Sequence, residues 1–494
     1  MRKVLVVIIL SLVVLTVACR KEIKYSYDSS KNISLSTDTI AFDTVFTSIG
    51  SSTRILMIYN NNSENLKINS IRLEQGSSSP YSVNVDGVSG TTFKDTEIYA
   101  NDSLYVFIKV TINPNDDNNP FFVEDRLIFN TNGNEKIVHL TAYGQNANYI
   151  IGNKTIYKQI GDYKYAFKKC HLVTDSVNTD VHWTSEKPYV IYNTAFIDSD
   201  GTLTIDAGTR VYFHGGAGLW AWSDGQLIVD GTAENPVVFQ GDRIESFYAD
   251  QPGQWDRIWL MEAREGHGHS INHAVIRNGF IGLQVQRMLK DNVEPAHIKN
   301  TIIENHTGMG IYANCYSVIM SNSLVDNCGN YCVALTGGGE YVLTHNTIAN
   351  YWTSSTRKAE ALFFNNIYSN PVDGNTYIYP LECDIINSIV YGNKDNEFGT
   401  EFYPIADTNY RFKNSLIRTT RSHDYKNFFE SCVFNQNPKF KNTHDFDFHL
   451  DTLSAAIGIG NPCYVTTELQ FDLDGVARTG DPDAGAYQYV PQER

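Results

Sequence analysis

The feature that most constrains this chain is a spaced repeat in its second half. Take His273, Asn300, Asn322, Asn346, Asn365, Asn387, Asn414 and Ser431 as anchors. The next residue is small or short and polar in every copy: Ala274, Thr301, Ser323, Thr347, Asn366, Ser388, Ser415 and Cys432. The one after that is always Val, Ile or Leu: Val275, Ile302, Leu324, Ile348, Ile367, Ile389, Leu416 and Val433. A large apolar residue stands two before each anchor, with Thr344 the one exception. Successive anchors lie 27, 22, 24, 19, 22, 27 and 17 residues apart. An earlier echo relates residues 201–211 to 225–232, with 24 residues between Leu203 and Leu227.

A unit of this length holds only short runs with strand character, so it cannot bury its own apolar face. Stacking the units edge to edge pairs every strand with its neighbour and makes one continuous core. Asn at the anchor suits a tight bend, because it enters the left-handed backbone region more readily than other non-Gly residues. Its amides can also hydrogen-bond along the stack. Leucine-rich repeats have similar lengths but need Leu-rich positions that are absent here. The repeat therefore predicts a parallel β-helix over 201–494, a rod of roughly 50 Å if ten coils stack at about 4.8 Å. Ile302, Leu324, Ile348 and Ile389 are expected to point into one column. Tyr, Phe, Asn, Thr and Gly are abundant, which favours strands and turns throughout.

The rest of the chain divides by pattern. Residues 1–18 have a basic start at Arg2 and Lys3 followed by an apolar run, the form of a signal peptide. Residues 19–36 are polar and read as a tether. Residues 37–148 hold short strands separated by Asn-, Gly- and Pro-rich turns, which predicts a β-sandwich. Residues 149–200 read as a transition segment.

Several stretches resemble known families. Leu15-Thr16-Val17-Ala18-Cys19 resembles a bacterial lipobox, with Thr16 where Leu is usual. That resemblance implies cleavage before Cys19, its acylation, and a membrane held through the lipid anchor. Arg20-Lys21-Glu22 is similar to the Lys-plus-acid tag of Bacteroidota-type surface lipoproteins. Residues 42–46, 59–60 and 138–144 resemble Hydin-type immunoglobulin-like domains, which implies a spacer or interaction module. The repeat region resembles the pectate-lyase-like right-handed parallel β-helix proteins. Asp472-Leu473-Asp474-Gly475 and Pro482-Asp483-Ala484-Gly485-Ala486-Tyr487 look like the closing segment of exported bacterial members. The order implied is an all-β cell-envelope lipoprotein of the outer membrane: an immunoglobulin-like β-sandwich followed by a right-handed parallel β-helix.

Charge and cysteines exclude several functions. Without residues 1–18 the chain carries 37 basic against 55 acidic side chains, a net charge of −18. No basic footprint for nucleic acid is present, and polyanionic glycans would be repelled at long range. Seven cysteines follow Cys19, none in a C-x-x-C pair, so no zinc site is assigned. No metal or cofactor is assigned elsewhere. Gly266-His267-Gly268 resembles an element of polygalacturonases, but the Asp pair that family needs is missing.

The best ligand candidate is an aromatic group at the start of the repeat. Trp220, Trp222, Tyr248, Trp255 and Trp259 fall close together beside Asp242 and Arg243, and 242–253 is an insertion. Insertions on a solenoid crowd its binding face. Aromatic faces stack on sugar rings while Asp and Arg orient hydroxyls. The leading expectation is a non-catalytic binding surface for a polysaccharide. A lyase or glycosidase and a structural or adhesive protein stay open. Stacked acids beside an Arg or Lys in one groove would favour the enzyme, and exposed Trp without such acids would favour glycan binding.

Overall fold

The computed structural model describes residues 23–115, 121–160, 162–288, 293–369, 374–421 and 428–491. Cys19 and residues 1–18, expected to form a leader, lie outside them. The chain is all-β and forms two compact units, Met1–Asn146 and Ala147–Arg494.

In the first unit, strands with mostly in–out alternation build two sheets around one core. Leu104 to Val110 shows the pattern: Val106, Ile108 and Val110 are buried, while Tyr105 and Phe107 face out. Alternation of this kind suits sheets with one wet face. The stretch read as a tether is partly built into this unit. Tyr25–Ser26 pairs with Asn65 and Leu66, Ser34–Leu35 pairs with Tyr59 and Ile58, and Ile33 is buried. Its apolar residues fill the edge of the core, so a free tether can span only residues before Tyr25.

The second unit is a β-helix-like solenoid of three parallel sheets with 11, 10 and 10 strands. It starts at Asn148, so the segment 149–200 is not a transition. Asn148–Ile151, Asp180–Trp183, Tyr189–Tyr192 and Thr194–Ile197 already pair in parallel with the following coil. Their repeat is hard to read because a hairpin, Lys154–Ile160 with Tyr163–Leu172, interrupts it. Leu203 pairs with Leu227 as the 24-residue echo requires.

The anchors form the corner between the third sheet (the one holding Ala296–Lys299) and the first (the one holding Ile302–His306). His273, Asn300, Asn322, His345, Asn387, Asn414 and Ser431 all have positive φ, between 47° and 56°. The structure shifts one anchor from Asn346 to His345. Read that way, Leu343 takes the apolar position and the exception at Thr344 disappears. Asn365 is not a corner of this kind. It ends a strand of the second sheet, and its coil carries an extra hairpin, Ile367–Ser369 with Thr376–Ile378.

Two polar ladders run along the corner. Asn300 Nδ2 donates to Asn272 Oδ1 at 2.9 Å, and Asn322 Nδ2 donates to Asn300 Oδ1 at 2.7 Å. Behind them the N–H groups of Thr301, Ser323, Asn346 and Ser388 donate to side-chain oxygens of Ser323, Asn346, Ser388 and Ser415, at 3.0–3.1 Å. The short polar residue after each anchor thus satisfies a buried N–H of the coil before it.

The core column of the first sheet is Phe239, Ile276, Ile303, Val325, Ile348, Val390 and Ile417. Ile302, Leu324 and Ile389, expected inside, stand on the opposite face, with Thr347 between them; of the four expected residues only Ile348 points inward. That outer face is apolar because the carboxy-terminal segment covers it. Phe448, Leu450, Ala456, Ala484, Ala486 and Tyr487 pack on Leu324, Ala349, Ile389, Tyr391 and Leu416. The segment expected to close the rod's end therefore lies along its side.

Its motifs explain how it is held. Asp472 accepts the N–H groups of Asp474, Val476 and Gln488, and Asp483 accepts those of Gly458 and Tyr489. Arg478 is buried and donates to Asn322 Oδ1 at 2.6 Å, capping the Asn ladder. Gly485, at φ 104°, donates its N–H to Asn387 O. A Cβ there would lie 2.7 Å from Thr347 Oγ1 and 2.9 Å from Ile389 Cδ1, so a side chain would push the segment off the sheet.

Candidate functional site

The expected aromatic group is not one site. Trp255 is in the solenoid core, 1% exposed, stacked on Phe213 at 4.3 Å, with Nε1 donating to Arg277 O at 2.8 Å. Trp222 is 4% exposed and packs with Phe167, Phe196 and Met261, because the hairpin 154–172 folds against that face. Neither can stack on a ligand. The polar members are committed to neighbours. Asp242 pairs with His214 at 2.7 Å; burial pushes its carboxyl up and His214 opposes the shift. Arg243 pairs with Glu245 at 3.1 Å and lies over the Tyr248 ring at 3.8 Å. These contacts fold the insertion on itself.

Trp220 remains; it also meets Phe167 of the hairpin, edge-on at 5.9 Å, but it is less covered than Trp222 and belongs to a row that runs on along the sheet. Phe196, Trp220, Trp259, Gln284, Tyr312, Ala334 and Phe363 are register neighbours on successive strands of the second sheet, all on the face away from the core. Trp220, Trp259, Tyr312 and Phe363 are half-buried. Trp259 meets Trp220 edge-on at 5.1 Å, and Tyr331 stacks on Phe363 at 4.9 Å. The indole N–H groups of Trp220 and Trp259 are themselves buried and have no partner among the described residues, so the ring faces and not these N–H groups are what the row presents. Gly218 makes room for the first ring, since a Cβ there would lie 3.0 Å from Trp220 Nε1. Arg257 donates to Gln284 at 2.6 Å and reaches over Phe280 at 5.4 Å, adding polar groups beside the row. Trp220 and Trp259 stand one coil apart and Tyr312 and Phe363 follow at two-coil steps, with Gln284 and Ala334 between, so the rings form a row along which an extended ligand with flat apolar faces could lie.

A second feature lies on the outer face of the first sheet. Arg277, Glu304 and Asp326 are consecutive register neighbours. Glu304 and Arg277 line a cleft of about 960 Å³ together with Asp250 from the insertion and Asp445 and Phe446 from the carboxy-terminal segment. A ladder of left-handed Asn residues, Asn278, Asn305 and Asn327, edges it. Asn278 and Asn305 donate to the carbonyls of Ala249 and Asp250, fixing the insertion there. Burial pushes the Glu304 carboxyl up while Arg277 opposes it, and burial plus Glu304 push Asp326 well up. Arg277, Glu304 and Asp326 each stand four residues after an anchor, so the repeat itself could have found them.

Among the described residues no group of three His, Cys, Asp or Glu side chains converges to hold a metal by itself. The described cysteines are free. His267 of the Gly-His-Gly element sits in a turn, its N–H bonded to Arg264 O, which is a loop geometry.

No family model matches the chain, and no curated protein matches it. Solved structures align only over parts. A family 123 glycoside hydrolase from Clostridium perfringens aligns at 11% identity over 22% of this chain and 23% of its own, with a TM-score of 0.17. The VesB protease of Vibrio cholerae aligns at 14% identity over 23% and 31%, with 0.16. The E. coli chaperone DraB aligns at 11% identity over 28% and 68%, with 0.17. Scores at this level leave no shared fold to argue from.

Proposed function

We propose that this chain is a cell-envelope lipoprotein, anchored through Cys19, whose right-handed parallel β-helix binds a neutral polysaccharide and whose immunoglobulin-like amino-terminal unit serves as a spacer. The observation that carries the binding reading is the outward row of Trp220, Trp259, Tyr312 and Phe363, in one register along the second sheet with Gln284 and Ala334 between them. Aromatic faces flanked by a few polar groups are the chemistry of sugar recognition. A net charge of −18 after leader removal disfavours polyanionic chains. The apolar run ending at Ala18-Cys19 supports lipidation and export.

A hydrolase or lyase reading has one observation in its favour, the stacked Glu304 and Asp326 beside Arg277. Two carboxylates must both reach the scissile bond. Asp326 is sealed from solvent, so this pair cannot flank one, and the binding reading is preferred.

The test is a glycan array probed with purified residues 20–494, scored for binding and for released product. Retention of neutral oligosaccharides without product supports the reading. Release of product would replace it with the enzyme, and retention of polyuronates alone would contradict it. Fatty-acid labelling of the wild type and of Cys19→Ala tests the anchor; equal labelling would remove it.

A further inference from the structure

We propose that Glu304 and Asp326 hold a hard divalent cation between two neighbouring coils, beneath the carboxy-terminal segment and apart from the aromatic row. Asp326 is 0% exposed, and neither of its carboxylate oxygens has a hydrogen-bond partner among the described residues. The carboxylate of Glu304, its register neighbour one coil earlier, accepts no hydrogen bond among the described residues either. Its nearest cation, Arg277 Nη1, stays 3.8 Å away. Arg277 cannot move closer without losing Gln240, to which its Nε and Nη2 donate at 2.9 and 2.7 Å. The one guanidinium nearby thus stands on the far side of Glu304 from Asp326 and is already held elsewhere. Leaving a sealed carboxylate without a donor costs several kcal/mol, and an ion or water is the usual relief.

The spacing selects a metal ion. Adjacent parallel strands lie about 4.8 Å apart, close to twice a calcium–oxygen distance of about 2.4 Å. Carboxylates stacked in register can each offer oxygens to one ion lying between their coils. They supply up to four oxygens, and the remainder of a six- to eight-oxygen shell would be water entering beside Glu304, whose side chain is 16% exposed and lines the cleft. A shell this rich in water places the site in the weak range, with a dissociation constant of about 10⁻⁴–10⁻³ M. The surroundings add negative charge: besides burial, Asp474, Asp326, Glu304 and Asp472 all push the neighbouring Tyr487 hydroxyl up.

The experiment uses the full mature chain, dialysed against EDTA and titrated with calcium chloride and, in parallel, magnesium chloride. Melting temperature and calorimetric heat are the readouts. At ten times the dissociation constant the cation should raise the melting temperature by about 2 °C or more. Glu304→Gln and Asp326→Asn should each remove that response. Terbium bound to the wild type should emit under tyrosine excitation and be displaced by calcium, a readout that holds if Asp326→Asn folds poorly. No shift of the wild type with 10 mM of either salt overturns the proposal. So does an Asp326→Asn protein that melts higher than the wild type in EDTA with neither responding to cation, because the partner would then be a proton. A response retained in Glu304→Gln would also overturn it.

Discussion

The two units bury apolar residues by different rules. In the two-sheet unit, side chains alternate between a dry and a wet face, and Val106 and Tyr105 are what they seem from the pattern. In the solenoid, the first sheet is dry on both faces where the carboxy-terminal segment covers it. Leu324 and Val325 are neighbours in sequence, point in opposite directions, and are 2% and 0% exposed. Alternation reads burial only where one face is left to water. Where a distant segment covers the second face, the strand reads as a continuous apolar run.

The largest effect should come from breaking the solenoid's inner column. Val325→Asp places an unpaired charge in a continuous core, at a cost of several kcal/mol, and should abolish folding of the whole second unit. Leu324→Asp, one residue away, should first release the carboxy-terminal segment. Limited proteolysis that cuts near residue 440 while the coils still melt cooperatively is the expected signature. On the two-sheet unit, Tyr105→Asp should change stability by only about 0.5 kcal/mol or less. If Leu324→Asp were as silent as Tyr105→Asp, the covered-face account would be wrong.

Acid should separate the units next. Burial holds His269 and His306 down at about 4 and, with Arg478 nearby, His345 at about 3, from an ordinary value of 6.5. These groups stay neutral when folded and take up protons only on unfolding. Stability is therefore intact above about pH 6.5 and falls as pH drops from there towards 4. The two-sheet unit carries one histidine, His139, and it is exposed. Calorimetry between pH 7 and 4 should move the solenoid's transition down faster than the other. Parallel shifts would remove the buried histidines as the cause.

A smaller effect is expected at the corners. Asn322→Ala forces Ala into φ near 51° and removes both a ladder bond and the acceptor of Arg478. The strain alone is worth about 1–2 kcal/mol. Asn322→Gly should recover the strain portion, measured by denaturant melts, and leave only the lost hydrogen bonds.

Much of this was legible in the sequence. The repeat marks the corners, and the small polar residue after each corner marks the inner ladder. Thr344 even signals the slip from Asn346 to His345. The covered face was not legible, because its contacts join residues far apart: Ala486 donates to Thr347 Oγ1, and Arg478 to Asn322, across 139 and 156 positions. Local periodicity carries no trace of that. Sequence proximity misleads about the ligand group for a related reason. Trp220, Trp222 and Trp255 are close in sequence, but exposure depends on which face each residue takes and on what else packs there. Trp255 points inward, and Trp222 is covered by a hairpin some sixty residues earlier. Aligning coils by register, rather than by proximity in the chain, brings Trp220 to Trp259 and Arg277 to Glu304 and Asp326.

The most direct test of the account compares two tryptophan variants on a glycan retained by the array, using isothermal titration and thermal melts. Trp220→Ala combined with Trp259→Ala should weaken binding by about tenfold or more and lower the melting temperature less than Trp222→Ala does. Trp222→Ala should lower the melting temperature and leave the affinity of the folded protein intact. Undiminished binding by the double variant, or a wild type that retains no neutral glycan at all, would contradict the claim that the outward aromatic row is the ligand surface.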